Sequence, residues 1–199
     1  MNYYDQLKHS FENKINNDIQ IFQEKLNDTP KDVDALFGLA LIAKNTHQYK
    51  LSLEFLDECI KINNFSCKLI LHKILIHILL GELETANNIV KEFIKKYSLF
   101  DFKSCKDIFV ELSTLSSDIL LDYKSSNKLI SLSIRYFPNY YKSYERLALN
   151  KMYLYGEFYK GRSILKRLIT NFKETSVIET YLLSFLRDDP KKGLKELKK

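Results

Sequence analysis

The stretch VDALFGLALIAKNTHQYKLSLEFLDECIKINNFS, residues 33–66, decides the fold. Its apolar residues fall at helical rather than alternating spacing, and the pattern breaks at Asn63-Asn64. Moving on 34 residues without a gap reaches residues 67–100, where Ile70 stands at the place of Leu36, Ala86 at that of Ser52, Val90 at that of Leu56, and Gly81 between two helical runs. After an excess of six residues the rhythm resumes near Asp107, with Tyr123 and Ser126 opening a second run and Pro138 just past its end. A fourth round starts at Tyr141 with Tyr144 and Leu147-Ala148, takes one extra residue, and continues through Gly156, Phe158, Gly161, Leu165 and Leu168. The residues after Ser176 read as a truncated fifth. Self-similarity at such a period marks an array of stacked helical units, each unable to bury its apolar face alone.

Upstream, Leu7, Phe11, Ile15, Ile19, Phe22 and Leu26 keep to one face of a long amphipathic helix. This helix should stop before Asp28-Thr29-Pro30, because the residue preceding a proline is pushed out of the α region. The remaining breaks fall at Ser98, Ser125, Gly156 and Asp188 to Pro190. Runs of about 12 to 18 residues between breaks are marginal as isolated helices, so the array is the unit of stability.

Residues 33–66 resemble a tetratricopeptide repeat over the whole unit. That family's helix-turn-helix pattern wants a large apolar residue, an apolar-small pair, and a small residue early in the second helix. Leu36, Leu39-Ala40 and Ser52 occupy those places, Tyr49 sits at the usual aromatic place, and Leu56 and Cys59 continue the buried face. Two antiparallel helices approach closely only where side chains are small, so Ala40 and Ser52 mark a crossing. The resemblance runs over 30–199, as units 33–66, 67–100, 107–140, 141–174 and a partial 176–199. Tryptophan is absent, Lys73 and Ile74 replace the apolar-small pair, and Phe93 and Leu168 replace a small residue late in the second helix. Those helices should stand further apart.

The resemblance implies an all-α fold, a right-handed α-solenoid of stacked helix-turn-helix repeats, opened by a capping helix over 1–29. In that family the first helices of successive units line a concave groove. Here they supply Phe37 and Leu41, then Leu71, His72 and Leu75, then Glu111 and Leu115, then Lys142, Arg146 and Leu149. Phe37, Leu41, Leu71 and Leu75 are the expected anchors for a peptide or helix of a partner protein, with Lys142 and Arg146 choosing an acidic flank. Some members clamp a chaperone's terminal carboxylates with Lys, Asn and Arg. Phe37, Leu41 and His72 stand where Lys or Asn would be required, so that clamp is not expected. The opening helix or the Lys-rich C-terminus folding back is the competing occupant of the groove.

The 199 residues carry 31 Lys+Arg, 25 Asp+Glu, only 5 Gly and 3 Pro, which excludes collagen-like, disordered and disulfide-scaffold classes. The net charge of +6 is unevenly spread: residues 141–173 hold eight basic side chains against Glu145 and Glu157. Lys160, Arg162, Lys166 and Arg167 form a basic patch that makes nucleic-acid binding the alternative function. No aromatic residues alternate with them to stack bases, which counts against it. A non-catalytic subunit of an enzyme complex is a further alternative.

His9, His47, His72 and His77 show no metal spacing; His72 and His77 are five apart and face different ways on a helix. No paired Cys, H-E-x-x-H, phosphate-cradling glycine loop or G-x-S-x-G occurs, so no metal, cofactor or enzymatic activity is expected. Cys59, Cys67 and Cys105 are an odd number among apolar neighbours, which suits a reducing compartment. The first residues lack the pattern of a signal peptide. The longest apolar stretch, Leu69 to Leu80, falls short of the ~20 residues that span a bilayer. A cytoplasmic location without membrane association is expected. The serines between Ser113 and Ser143 are read as helix caps, with Ser125-Ser126 opening a helix.

Overall fold

The computed structural model describes residues 3–63, 66–99, 105–186 and 189–197, with all their side chains except those of 3–13, 99, 194 and 197. Leu7 and Phe11 of the opening stripe therefore lie outside the described side chains. Every regular element among the described residues is a helix. The chain divides into two compact units, Met1–Asp101 and Phe102–Lys199.

The first unit begins with α1 (Tyr3–Asp28), which ends two residues before Pro30. It continues with the hairpin α2 (Val33–Asn45) and α3 (Tyr49–Ile62), then α4 (Cys67–Leu79) and α5 (Leu83–Lys96), closed by a 3-10 turn at Tyr97–Leu99. Asp32 caps α2 by accepting the Ala35 N–H at 2.8 Å, satisfying one of the free amides of the first turn. Phe22 of α1 lies over Gly38, where a Cβ would run into its ring. Leu36, Phe37, Ala40, Leu56, Cys59, Leu69 and Ile76 form the core, with Leu26 of α1 packed against it. At the α2–α3 crossing the buried Ser52 hydroxyl donates to the Ala40 carbonyl at 2.6 Å. At the equivalent place in α4 stands Ile74, fully buried, and α4 and α5 approach each other least of the four hairpin pairs. The looser packing expected from Ile74 and Phe93 is what the structure has in α4 and α5.

The second unit holds the hairpin α6 (Lys106–Asp118) and α7 (Tyr123–Tyr136), the hairpin α8 (Tyr141–Tyr153) and α9 (Phe158–Phe172), then α10 (Thr175–Leu183) and α11 (Pro190–Leu197). Ser113 and Ser126 share a hydrogen bond of 2.8 Å at the α6–α7 crossing. In the next hairpin Gly161 meets Ala148, and a Cβ there would lie 2.7 Å from the Ala148 carbonyl oxygen and strike Met152. The looser packing expected from Leu168 is corrected: α9 packs against α8 at least as closely as any other hairpin pair, around the small residues Gly161 and Ala148. The expectation that the serines are caps is corrected. Asp122 caps α7, accepting the Ser125 N–H at 3.0 Å, while Ser113, Ser116, Ser126, Ser133 and Ser143 are buried. Small hydroxyls fill the interior here, and each is satisfied by a neighbour, as with Ser133 and Ser143 at 2.7 Å.

Each hairpin turns through a residue with positive φ, two positions before its second helix: His47 (61°), Gly81 (77°), Leu121 (54°) and Gly156 (68°). Glycine adopts this conformation without a Cβ penalty, whereas Leu121, 66% exposed, carries the strain without burying its side chain. Of the three cysteines Cys59 alone is a free thiol, so the expectation of reduced thiols throughout is corrected at Cys67 and Cys105. Burial pushes the Cys59 thiol up to about 11, and it donates to the Val33 carbonyl. No helix among the described residues is long and apolar enough to cross a membrane.

Two substitutions test this packing in opposite directions by thermal unfolding. Gly161→Ala should lower stability by ~1–3 kcal/mol, since backbone as well as Met152 must give way. Leu121→Gly should raise it by about 0.5–1 kcal/mol, the relieved strain exceeding the added freedom of the unfolded chain. A third prediction concerns pH. Burial first, then the charges of Lys44 and Lys68, lower the His72 pKa from 6.5 to about 4. The unfolded chain therefore takes up a proton at this site before the folded one does. The resulting stability is complete above pH 6.5 and is lost progressively as pH falls towards about 4. Denaturant midpoints measured across that window should fall less steeply for His72→Phe than for the wild type.

Candidate partner-docking faces

The groove residues nominated from the sequence sit on first helices of hairpins, and each unit presents its own face. On the first unit, Phe37 of α2 and His72 of α4 meet edge to face, ring centroids 5.0 Å apart. Lys68 lies over the same phenylalanine ring at 4.5 Å. Phe37 and Leu71, 8% and 6% exposed, are part of the interior. The expectation that both are exposed anchors is corrected: Phe37 packs among Leu36, Ala40 and Leu69 and forms the floor of the face. Leu41, His72 and Leu75 are half-buried and remain reachable. The His72 Nδ1 is buried without a partner, and with its lowered pKa the ring is neutral at ordinary pH.

On the second unit, α6 and α8 bring Glu111, Leu115, Lys142, Arg146 and Leu149 to one side, with Leu115 and Leu149 half-buried. Its two cations are not free to choose an acidic partner. Arg146 holds Asp118 through both carboxylate oxygens, at 2.6 and 3.3 Å, and also donates to Ser117. Burial works to raise the Asp118 pKa, but the hydrogen bonds from Arg146 and Ser117 and the guanidinium charge outweigh it and hold the carboxyl below its ordinary value. Lys142 stands 3.6 Å from Asp107, which also accepts the Tyr140 hydroxyl. Burial and the nearby Asp107 raise the Glu111 pKa, with Lys142 partly opposing them.

The basic patch on α9 is similarly reduced. Lys160 pairs with Glu157 at 2.7 Å. Arg162 lies 4.0 Å over the Phe185 ring and donates to Ser184, so it ties α9 to the segment after α10. Lys166 and Arg167 are exposed. Among the described residues no group of three His, Cys, Asp or Glu is placed to hold a metal ion.

Two features had not been anticipated. A cleft of about 530 Å³ opens between α1, α2 and α3, with Ile15 and Ile19 on one wall and Leu39, Ile42, Leu51 and Phe55 on the others. A smaller one of about 240 Å³ lies on the α6–α8 face, lined by Asp118, Arg146, Leu149, Asn150, Tyr153 and Leu154. Asn150 follows Arg146 by four residues on α8, a spacing that places both on one side of the helix and was readable from the sequence. Asp118 carries no such local signal.

No protein-family model matches the sequence, and no curated protein does. Solved structures do match in shape. MamA is 14% identical with a TM-score of 0.60, over 88% of this chain and 98% of that one. YrrB, a TPR protein with an unusual peptide-binding site, is 11% identical with a TM-score of 0.58, over 89% of each chain. PilF of Pseudomonas aeruginosa is 17% identical with a TM-score of 0.53, over 98% of this chain and 95% of that one. At such identities the likeness shows the fold alone, which is the helix-turn-helix repeat fold of tetratricopeptide-repeat proteins.

Proposed function

We propose that this protein is a non-catalytic interaction scaffold that captures a peptide or helical segment of another protein on the first-helix faces of its hairpins. The observation that carries this reading is the fold itself. Its helices pack against one another, and the first helices keep half-buried apolar side chains beside deeper residues, Leu41 and Leu75 on the first unit and Leu115 and Leu149 on the second. Side chains of this kind, partly covered and rimmed by polar groups, gain most from a partner that completes their burial. YrrB, similar in fold, carries a peptide-binding site, which supports the same use of the scaffold here. Electrostatic selection of an acidic flank by Lys142 and Arg146 is withdrawn from the proposal, since Asp107 and Asp118 already hold them. The rival reading as a nucleic-acid binder loses support for the same reason, with Lys160 and Arg162 engaged inside the unit.

The test is affinity capture with the full chain, identification of the retained protein by mass spectrometry, and recapture with purified components. Phe37 and Leu71 should be left alone, because truncating interior residues would compromise the fold. Leu41→Asp combined with Leu75→Asp should keep the helical circular dichroism signal and weaken recapture by roughly thirtyfold or more, the loss of two apolar anchors. Undiminished recapture by this folded variant would reject the α2–α4 face as the docking surface.

A further inference from the structure

Phe37, Leu41 and Lys44 follow one another along α2 at spacings of four and three, and Lys68, His72 and Leu75 do the same along α4, so each triplet keeps to one side of its helix. The two stripes adjoin. The Phe37 ring meets His72 edge to face, and the Lys68 ammonium sits over the same ring at 4.5 Å. Lys44, half-buried, marks the far end of the α2 stripe, roughly 10 Å along the helix axis from Phe37, with Leu41 between them. Its charge acts on His72, as does that of Lys68. Among the described residues neither lysine is held in an ion pair, whereas Lys73 of α4 is closed on Asp57 at 2.6 Å. Lys44 at least suits the last turn of its own helix. Lys68 does not: it occupies the first turn of α4, where the helix dipole disfavours a cation, and no acidic residue stands in that turn.

We infer that the α2–α4 face receives a helical segment with two side-chain carboxylates about two turns apart, one meeting Lys68 and the other Lys44, and an apolar residue between them on Leu41 and Leu75. The inference rests on the reading of this face as a docking surface and adds the chemistry it selects. Charge complementarity carries it. Two uncompensated cations stand at the ends of an apolar strip, so a partner with the opposite sign at the same interval is attracted at both ends while it covers the leucines. A nucleic-acid backbone answers the two charges but has nothing apolar to lay on the strip between them. A single chain-terminal carboxylate answers one lysine only. Preference for acid thus belongs to the first unit, whose two cations are open, and not to Lys142 and Arg146 of the second, whose charges Asp107 and Asp118 already meet.

Two peptides blocked at both ends serve as probes, EAALLAAE and its glutamine counterpart QAALLAAQ, so that no terminal carboxylate contributes. Each is titrated into the isotopically labelled full chain while the His72 ring and the Leu41 and Leu75 methyl groups are followed by NMR. The acidic peptide should shift all three saturably and bind about fivefold or more tightly than its counterpart, an advantage that shrinks as salt is raised. Lys44→Gln combined with Lys68→Gln should abolish the preference, and Lys44→Arg combined with Lys68→Arg should keep it, both with an unchanged helical circular dichroism signal. Equal binding of the two peptides, saturable shifts by neither, a preference that survives the glutamine pair, or a stronger response to a short DNA duplex would each overturn the inference. Recapture of the retained protein separates this inference from the docking face. Loss with Leu41→Asp and Leu75→Asp but not with the glutamine pair rejects the acidic preference alone, whereas retention by both variants rejects the face.

Discussion

The close crossing of the two helices in three of the four hairpins is the constraint on which the other features rest. Helices of 13 to 15 residues, as in α2 to α9, do not persist alone in water, and their stability comes from packing an apolar face against a neighbour. How near two helix axes come is set by the side chains at the contact. Ser52 against Ala40, Ser126 against Ser113, and Gly161 against Ala148 provide the clearance. Serine at such a place brings a hydroxyl into the interior, where an unmade hydrogen bond would cost ~1–3 kcal/mol. The Ala40 carbonyl and the Ser113 hydroxyl remove that cost, so polarity at the crossing fixes the geometry instead of weakening it.

Much of this was legible in the sequence because it repeats. A small residue recurring at one place of successive units, opposite another small residue, states a crossing before any coordinates exist. Ile74 in place of the small residue likewise states the looser approach of α4 and α5. The turns were half legible. Gly81 and Gly156 announce a positive φ, whereas His47 and Leu121 adopt the same conformation with nothing in their chemistry to advertise it. Only their place two residues before a second helix does so. Ser126 was misread as part of a cap since the sequence puts a cap former, Asp122, and a crossing residue within five positions. Which one takes which role depends on the partner helix.

The docking faces were less legible, and the reason is the distance along the chain between partners. Arg146 finds Asp118 28 residues away, and Arg162 finds Ser184 22 residues away. Neither separation is a helical spacing; each is the offset between elements that pack together only after the fold has formed. Part of a basic run thus reads as a field in the sequence and as closed contacts in the structure, as for Arg146, Lys160 and Arg162, while Lys166 and Arg167 stay exposed. The interior position of Phe37 has the same origin. Periodicity places it on the α2 surface, and its coverage by Leu69 and His72 depends on how the next hairpin stacks.

Closed ion pairs also change what kind of selectivity such a face can exert. The potential of an exposed charge acts over a Debye length of about 8 Å at physiological salt and speeds encounter with any partner of opposite sign. A charge bound to its counter-ion at contact distance contributes little at that range. What remains is directional: donors and acceptors whose positions are fixed by the pairs that neutralise them. Arg146 illustrates the exchange. Three of its five N–H donors are committed to Asp118 and Ser117, which holds the guanidinium plane in place. Asn150 is held in the same manner by Ser126 and Asn127. The polar groups that stiffen the hairpins of the second unit are therefore held in fixed directions by one another, and leaving any of them unpaired in a buried contact costs more than the attraction of a neutralised charge returns.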